Sequence, residues 1–226
     1  MKATFCTLLV MFISSAALAQ EETPSDGVSI GINGGATYSS IRGNDLAEAN
    51  DPAFNFLIGV SAEIPLSDKL SFMTAINYER KSVKQTLHFD YLGAIPPGGD
   101  PAFIQGDVET NLTLEYITVP LNIRYYFGSK KIVYINGGPF IGFFGSEYLK
   151  IDGEKADEDN NDFYKSIDLG VNLGIGAKFR LSDTQAISIE VRDNLGLTNI
   201  SNVPIVGNGT LKTNAFNLIA NWQFTL

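Results

Sequence analysis

Residues 167–181 read Ile-Asp-Leu-Gly-Val-Asn-Leu-Gly-Ile-Gly-Ala-Lys-Phe-Arg-Leu, and their alternation decides the fold. Ile167, Leu169, Val171, Leu173, Ile175, Ala177, Phe179 and Leu181 share one phase. Asp168, Gly170, Asn172, Gly174, Gly176, Lys178 and Arg180 share the other. A sustained period of two marks a β-strand with two unlike faces.

The pattern recurs along the chain. Downstream, Ile187, Ile189 and Val191 oppose Ser188, Glu190 and Arg192, and Phe216, Leu218, Ala220, Trp222 and Phe224 oppose Asn217, Asn221 and Gln223. Upstream, three stretches begin near Val28, Phe56 and Leu70. A fourth spans residues 111–127, where Ile117, Val119, Leu121, Ile123, Tyr125 and Phe127 oppose Thr118, Asn122 and Arg124. Leu112 and Leu114 have the opposite phase, so a bulge is expected near Tyr116. A fifth, residues 131–148, is blurred by glycines. Eight strands result. Three connections are tight, at Ser67-Asp68, Gly128-Ser129 and Ser182-Asp183. Four are long, at residues 40–54, 83–110, 149–163 and 199–210. This is the plan of an all-β, eight-stranded antiparallel up-and-down transmembrane β-barrel with both termini on the turn side, which is periplasmic in outer-membrane barrels.

The two faces differ in bulk as well as polarity. Gly, Ser, Asn and Thr with a few charges suit the interior of a small barrel, and Val, Ile, Leu and Phe suit lipid. Tyr125, Tyr126, Phe127, Tyr134, Trp222 and Phe224 are expected to form a girdle on the turn side, and Tyr38, Tyr78 and Tyr116 one on the loop side. A closed barrel leaves no unpaired edge in hydrocarbon.

Composition agrees. The 226 residues carry a net charge of −9, which disfavours nucleic acid as a partner. Lys2, an apolar run over residues 5–13 and the ending Ala17-Leu18-Ala19 read as a secretory leader, giving a leader of residues 1–19 and a barrel domain of residues 20–226. The one cysteine, Cys6, lies in that leader, so barrel closure has to serve where disulfides would.

The polar strand phases place Glu63, Glu79, Lys81, Arg124, Lys178, Arg180, Glu190 and Arg192 in an interior charge network. Charges inside a narrow barrel have to pair, so the network reads as a structural plug, with a gate or proton path as the sharper alternative. Asp157, Asp159 and Asn161 resemble the start of a calcium loop, but Asp162 stands where glycine is needed and Asp168 where glutamate is. A solvated acidic loop is the favoured reading there, and no metal site or cofactor is expected. His88 lies in the longest loop beside Asp90, and a lone histidine there reads as a surface residue rather than a catalytic base.

The run Leu114-Glu115-Tyr116-Ile117-Thr118-Val119-Pro120-Leu121, continuing to Arg124-Tyr125-Tyr126-Phe127, resembles the YLEIPLLLKYYF strand of PorT-like outer-membrane β-barrel proteins of the Bacteroidota. Tyr134-Ile135-Asn136-Gly137-Gly138-Pro139 is similar to their following strand, and residues 168–176 and 190–192 continue the likeness. The chain departs at its end, where Leu226 is last and Phe224 lies two before it. The resemblance implies an integral outer-membrane protein in contact with lipid, lipopolysaccharide and the barrel-assembly machinery. The motifs specify strands, so the leading expectation, a non-catalytic envelope or surface-interaction role, rests on the barrel itself; a PorT-like secretion accessory docking a protein partner is the first alternative, and an outer-membrane enzyme using His88 the second.

Overall fold

The computed structural model describes residues 27–92, 103–156, 161–205 and 209–226. The leader lies outside them. The long strands are β1 (Ser29–Arg42), β2 (Asp51–Pro65), β3 (Leu70–Leu92), β4 (Phe103–Tyr126), β5 (Val133–Ile151), β7 (Ile167–Arg180), β8 (Gln185–Gly196) and β9 (Lys212–Thr225). A two-residue strand, β6 (Glu154–Lys155), folds back on the end of β5, and a short helix, α1 (Asp45–Glu48), sits between β1 and β2. The long strands pair antiparallel in chain order, and β1 pairs with β9 to close the ring.

The apolar phase points out. Along β7, Asp168, Gly170 and Asn172 are buried while Ile167, Leu169, Val171, Leu173 and Ile175 are exposed. The same holds on β9, where Leu218 and Trp222 are exposed and Asn217, Asn221 and Gln223 buried. Such an apolar surface in water would be untenable; against lipid it is favourable. Along β4 and the residue that follows it, the outward apolar positions run from Ile117 to Phe127. Ten steps of about 3.3 Å tilted by about 40° rise about 25 Å, the height of an outer-membrane apolar band. Among the described residues no helix is long and apolar enough to cross a membrane.

Close strand packing explains several glycines. A Cβ on Gly138 would run into the carbonyl oxygen of Leu121 on β4, so β5 could not stay in register beside it. The hairpin joining β5 to β6 turns through Asp152 and Gly153, with φ of 50° and 84°. Positive φ at both central residues is the Asp-Gly hairpin turn, whose twist suits the flanking strands.

The loop side departs from the sequence expectation. Residues 83–110 were expected as loop, but β3 and β4 stay paired from Lys84 and Asn111 out to Leu92 and Phe103. The expected bulge is a register shift between Glu115 and Tyr116, and the extra residue is Gly145 on β5. β4 itself keeps its phase, so Leu112, Leu114 and Tyr116 all face inward. The reason is solvent. Within the bilayer the outside is apolar and the inside polar; beyond it the outside is water, and the apolar side chains turn inward.

Those inward residues build a small core above the lumen. Ile41, Ala47, Val83, Leu114, Tyr116 and Ile200 are buried together, with Leu112, Phe144, Tyr164 and Leu211 packed around them. The segment before β7 and the one after β8 are tied across the mouth. Lys165 N donates to Ile200 O at 2.7 Å, Asn202 N to Phe163 O at 2.8 Å, and Ile200 N to Leu211 O at 2.8 Å. Asn44 caps α1 by accepting from Ala47 N at 2.9 Å and ties the helix to Thr210 O at 2.8 Å, which places Ala47 in the same core.

Candidate functional site

Among the described residues, charged side chains from β2, β3, β4, β7 and β8 converge in the lumen. Toward the turn side, Arg124 of β4 reaches Glu63 of β2 at 2.9 Å and Glu190 of β8 at 3.1 Å. Its guanidinium lies 3.9 Å from the Tyr134 ring centre. Glu63 also takes Lys178 at 3.1 Å and accepts from Tyr126 and Gln223. Glu190 takes Arg192 at 2.5 Å and accepts from Tyr134 at 2.9 Å and Asn136 at 2.8 Å. Each of the two carboxylates therefore meets opposite charge and further donors, which is what makes buried charge tolerable.

Toward the loop side, Lys81 pairs with Asp168 at 3.3 Å and donates to Thr213 at 2.9 Å, while Thr213 donates to Asp168 at 2.6 Å. The ammonium also lies 4.8 Å from the Tyr116 ring centre and 5.2 Å from that of Phe140. Between the two groups, Glu79 accepts from Asn217 at 2.9 Å and Asn194 at 3.3 Å. Asn33, Asn77, Asn221 and Ser61 form a neighbouring chain of amide and hydroxyl bonds.

The lumen is closed at both ends. The apolar core around Ile200 covers the loop side. At the turn side a cavity of about 30 Å³, lined by Ser29, Glu63, Ser71, Tyr126, Lys131 and Lys178, holds little more than a water molecule.

Of the expected network, Glu63, Glu79, Lys81, Arg124, Glu190 and Arg192 are buried in the interior, and Lys178 stands at its turn-side edge. Arg180 does not join it. It lies at the rim, where it donates to Ser182 O at 3.1 Å and faces Asp183 at 3.5 Å, because the strand ends there and the turn supplies nearer acceptors. Asp168 also belongs to the interior, as its polar phase with Gly170 and Asn172 indicates, although the expected charge network omits it.

Three girdle assignments also fail. Tyr116, Tyr126 and Tyr134 point into the lumen, at 1%, 4% and 0% exposure. Tyr126 and Tyr134 donate there to buried carboxylates that lipid could not supply. Tyr38, Tyr125, Phe127 and Trp222 do face outward.

His88 bonds Asp107 across the β3–β4 hairpin at 2.6 Å, with both side chains open to water. Asp157 and Asp159 lie outside the described residues. Asn161 is described, and its Oδ1 accepts from Glu147 N at 2.7 Å. Among the described residues no three His, Cys, Asp or Glu side chains are grouped to hold a metal ion. Above the mouth, burial and the nearby Glu147 push the Tyr164 hydroxyl up to about 12.

An antiparallel ring with lipid outside and a charge-filled interior defines a small membrane-spanning β-barrel. The chain belongs to the outer membrane protein beta-barrel domain family, whose sequence pattern matches residues 18–202, and it is a bacterial outer-membrane β-barrel protein. Solved structures of other outer-membrane proteins are similar, three of them as follows. Neisserial surface protein A shares 15% identity over 88% of this chain and 99% of that one, with a TM-score of 0.45. Ail, the attachment invasion locus protein of Yersinia pestis, shares 11% over 88% and 100%, with 0.42. OprG of Pseudomonas aeruginosa shares 14% over 90% and 99%, with 0.40. No curated protein matches the sequence.

Proposed function

We propose that this barrel does not conduct or catalyse and acts through the surface on its loop side. The observation that carries the reading is closure at both ends, by the Ile200 core and by the Glu63–Arg124–Glu190 group. Closure leaves the exterior as the working surface, including the β3–β4 hairpin that runs past the rim. We read the turn side and both termini as periplasmic, since outer-membrane barrels have short periplasmic turns and longer outer loops. Lipid and lipopolysaccharide are then the lateral partners, and the barrel-assembly machinery inserts the chain. His88 and Asp107 stand in open water with no hydroxyl bonded to the ring among the described residues, which favours a non-catalytic role. Planar-bilayer recording tests the closure. Purified protein is expected to leave the membrane silent, and a steady large conductance overturns the reading.

A second reading is a PorT-like accessory that docks a secretion partner. It is supported by the likeness of residues 114–127 and 134–139 to the strands of that group. Crosslinking in intact outer membranes separates the two, because the accessory reading requires a protein of the secretion machinery in the crosslinked product.

A further inference from the structure

Three carboxylates in the lumen have a cation against them. Glu63 has Arg124 and Lys178, Glu190 has Arg124 and Arg192, and Asp168 has Lys81. Glu79 is different. It is fully enclosed, at 0% exposure, and no described cationic side chain lies within ion-pair distance of it. Its Oε1 accepts from two neutral amides, Asn217 at 2.9 Å and Asn194 at 3.3 Å, and its Oε2 has no partner. The neighbouring bases are committed elsewhere. Arg80, the next residue, lies on the opposite phase and pairs with Glu115 at 3.2 Å. Lys81, two residues on, is held by Asp168 and Thr213. Arg192, which faces Asn217 across the β8–β9 ladder, is held by Glu190.

The deficit extends to the neighbouring oxygens. Asn194 Oδ1, Asn217 Oδ1 and Thr37 Oγ1 are buried without a partner, and Thr37 sits opposite Asn217 in the β1–β9 register. A buried, ionised carboxylate with an orphan oxygen is costly unless something positive or hydrogen-donating meets it. The Thr37 hydroxyl has one proton to donate, so it can satisfy at most one of these oxygens, and the others are acceptors that cannot satisfy one another.

The donor set states what would fit. One carboxylate with amide and hydroxyl oxygens is hard, all-oxygen and singly negative. Metals that prefer thiolate or imidazole find no ligand in it. Calcium sites are built from more than one carboxylate, and the other lumen carboxylates are already neutralised. We propose that Glu79, with Asn194, Asn217 and Thr37, binds a monovalent alkali-metal cation inside the lumen. The ion supplies the missing positive charge and gives the orphan oxygens a common partner.

Crystals of the full barrel, purified from outer membranes and grown in rubidium chloride, test the site directly. An anomalous peak beside Glu79 is expected for the parent and none for Glu79→Gln, an isostere that still accepts from both asparagines. Heat unfolding in micelles gives a second readout. At equal ionic strength the parent is expected to melt several degrees higher in sodium chloride than in choline chloride. That gap should shrink in Thr37→Val and vanish in Glu79→Gln. If Glu79→Gln does not fold, the parent crystal and Thr37→Val decide. Absence of a peak in the parent, a peak that persists in Glu79→Gln, or equal melting in the two salts overturns the proposal. So does an infrared band of a neutral carboxylic acid that Glu79→Gln removes, which would mean that a proton occupies the place of the ion.

Discussion

Arg124 holds two acids at once, so its loss is a network event rather than the loss of one bond. Replacing it with alanine leaves Glu63 and Glu190 facing each other's field, with only Lys178 and Arg192 to answer. Breaking a buried ion pair on one side costs about 3–5 kcal/mol. Urea unfolding of Arg124→Ala in micelles is expected to show a loss of that size. Adding Glu63→Gln and Glu190→Gln should restore part of it, because no uncompensated charge then remains buried. A further fall in the triple variant would mean that packing against Tyr134, and not charge, is what Arg124 supplies. Gly138 makes a separate residue-scale case. A valine there meets the Leu121 carbonyl, and overpacking in a fixed frame costs about 1–3 kcal/mol. Gly138→Val should lower the yield of heat-stable folded barrel, whereas Gly34→Ala, on the outer face of β1 where an added Cβ meets nothing within 4 Å, is expected to keep that yield close to the parent's.

At the scale of elements, the covering of the loop side rests on Tyr164 as well as Ile200. The hydroxyl ionises near 10 in the unfolded chain and near 12 in the fold. Its contribution is therefore complete below pH 10 and is lost as pH rises toward 12, where the unfolded state releases its proton first. Unfolding midpoints of the parent and Tyr164→Phe should run in parallel below pH 10 and converge or cross above it. An unchanged gap from pH 9 to pH 12 would show that Tyr164 ionises freely in the fold. This covering was not legible in the sequence, though the strands beneath it were. Period-two alternation located the eight strands because the bilayer imposes one rule on all of them. Past the rim the rule reverses, so Leu112 and Leu114 looked like a phase error and the paired ends of β3 and β4 looked like loop. The interior tyrosines were legible but misread. Tyr126 shares its phase with Arg124, and Tyr116 with Thr118, yet ring chemistry suggested an interface. Asp152-Gly153 was likewise a hairpin signal in plain view. Glu79 lay on the correct phase, but no pattern in one dimension shows that three acids find cations and the fourth does not.

For the whole molecule the decisive quantity is which face meets lipid, because the family, the closure and the site all depend on it. Strand β9 gives the cleanest test. Leu218, Ala220 and Trp222 lie on the outer face, and Ile219, Asn221 and Gln223 are at most 4% exposed in the lumen. Stability alone does not discriminate. Leu218→Arg should cost about 2–4 kcal/mol against hydrocarbon near the midplane, but a soluble barrel with an apolar interior would be damaged at Leu218 as well. Access does discriminate. Single cysteines at Leu218, Ala220 and Trp222 are expected to react with a lipid-soluble probe in reconstituted vesicles. Cysteines at Asn221 and Gln223 are expected to be nearly silent, and Ile219, which shares their phase despite being apolar, should be silent with them. Ile219 carries the greatest weight, because hydrophobicity would place it in lipid and only strand phase places it inside. Labelling at Ile219 equal to that at Leu218 would mean that polarity rather than register governs exposure, and the barrel geometry of this strand would then be wrong.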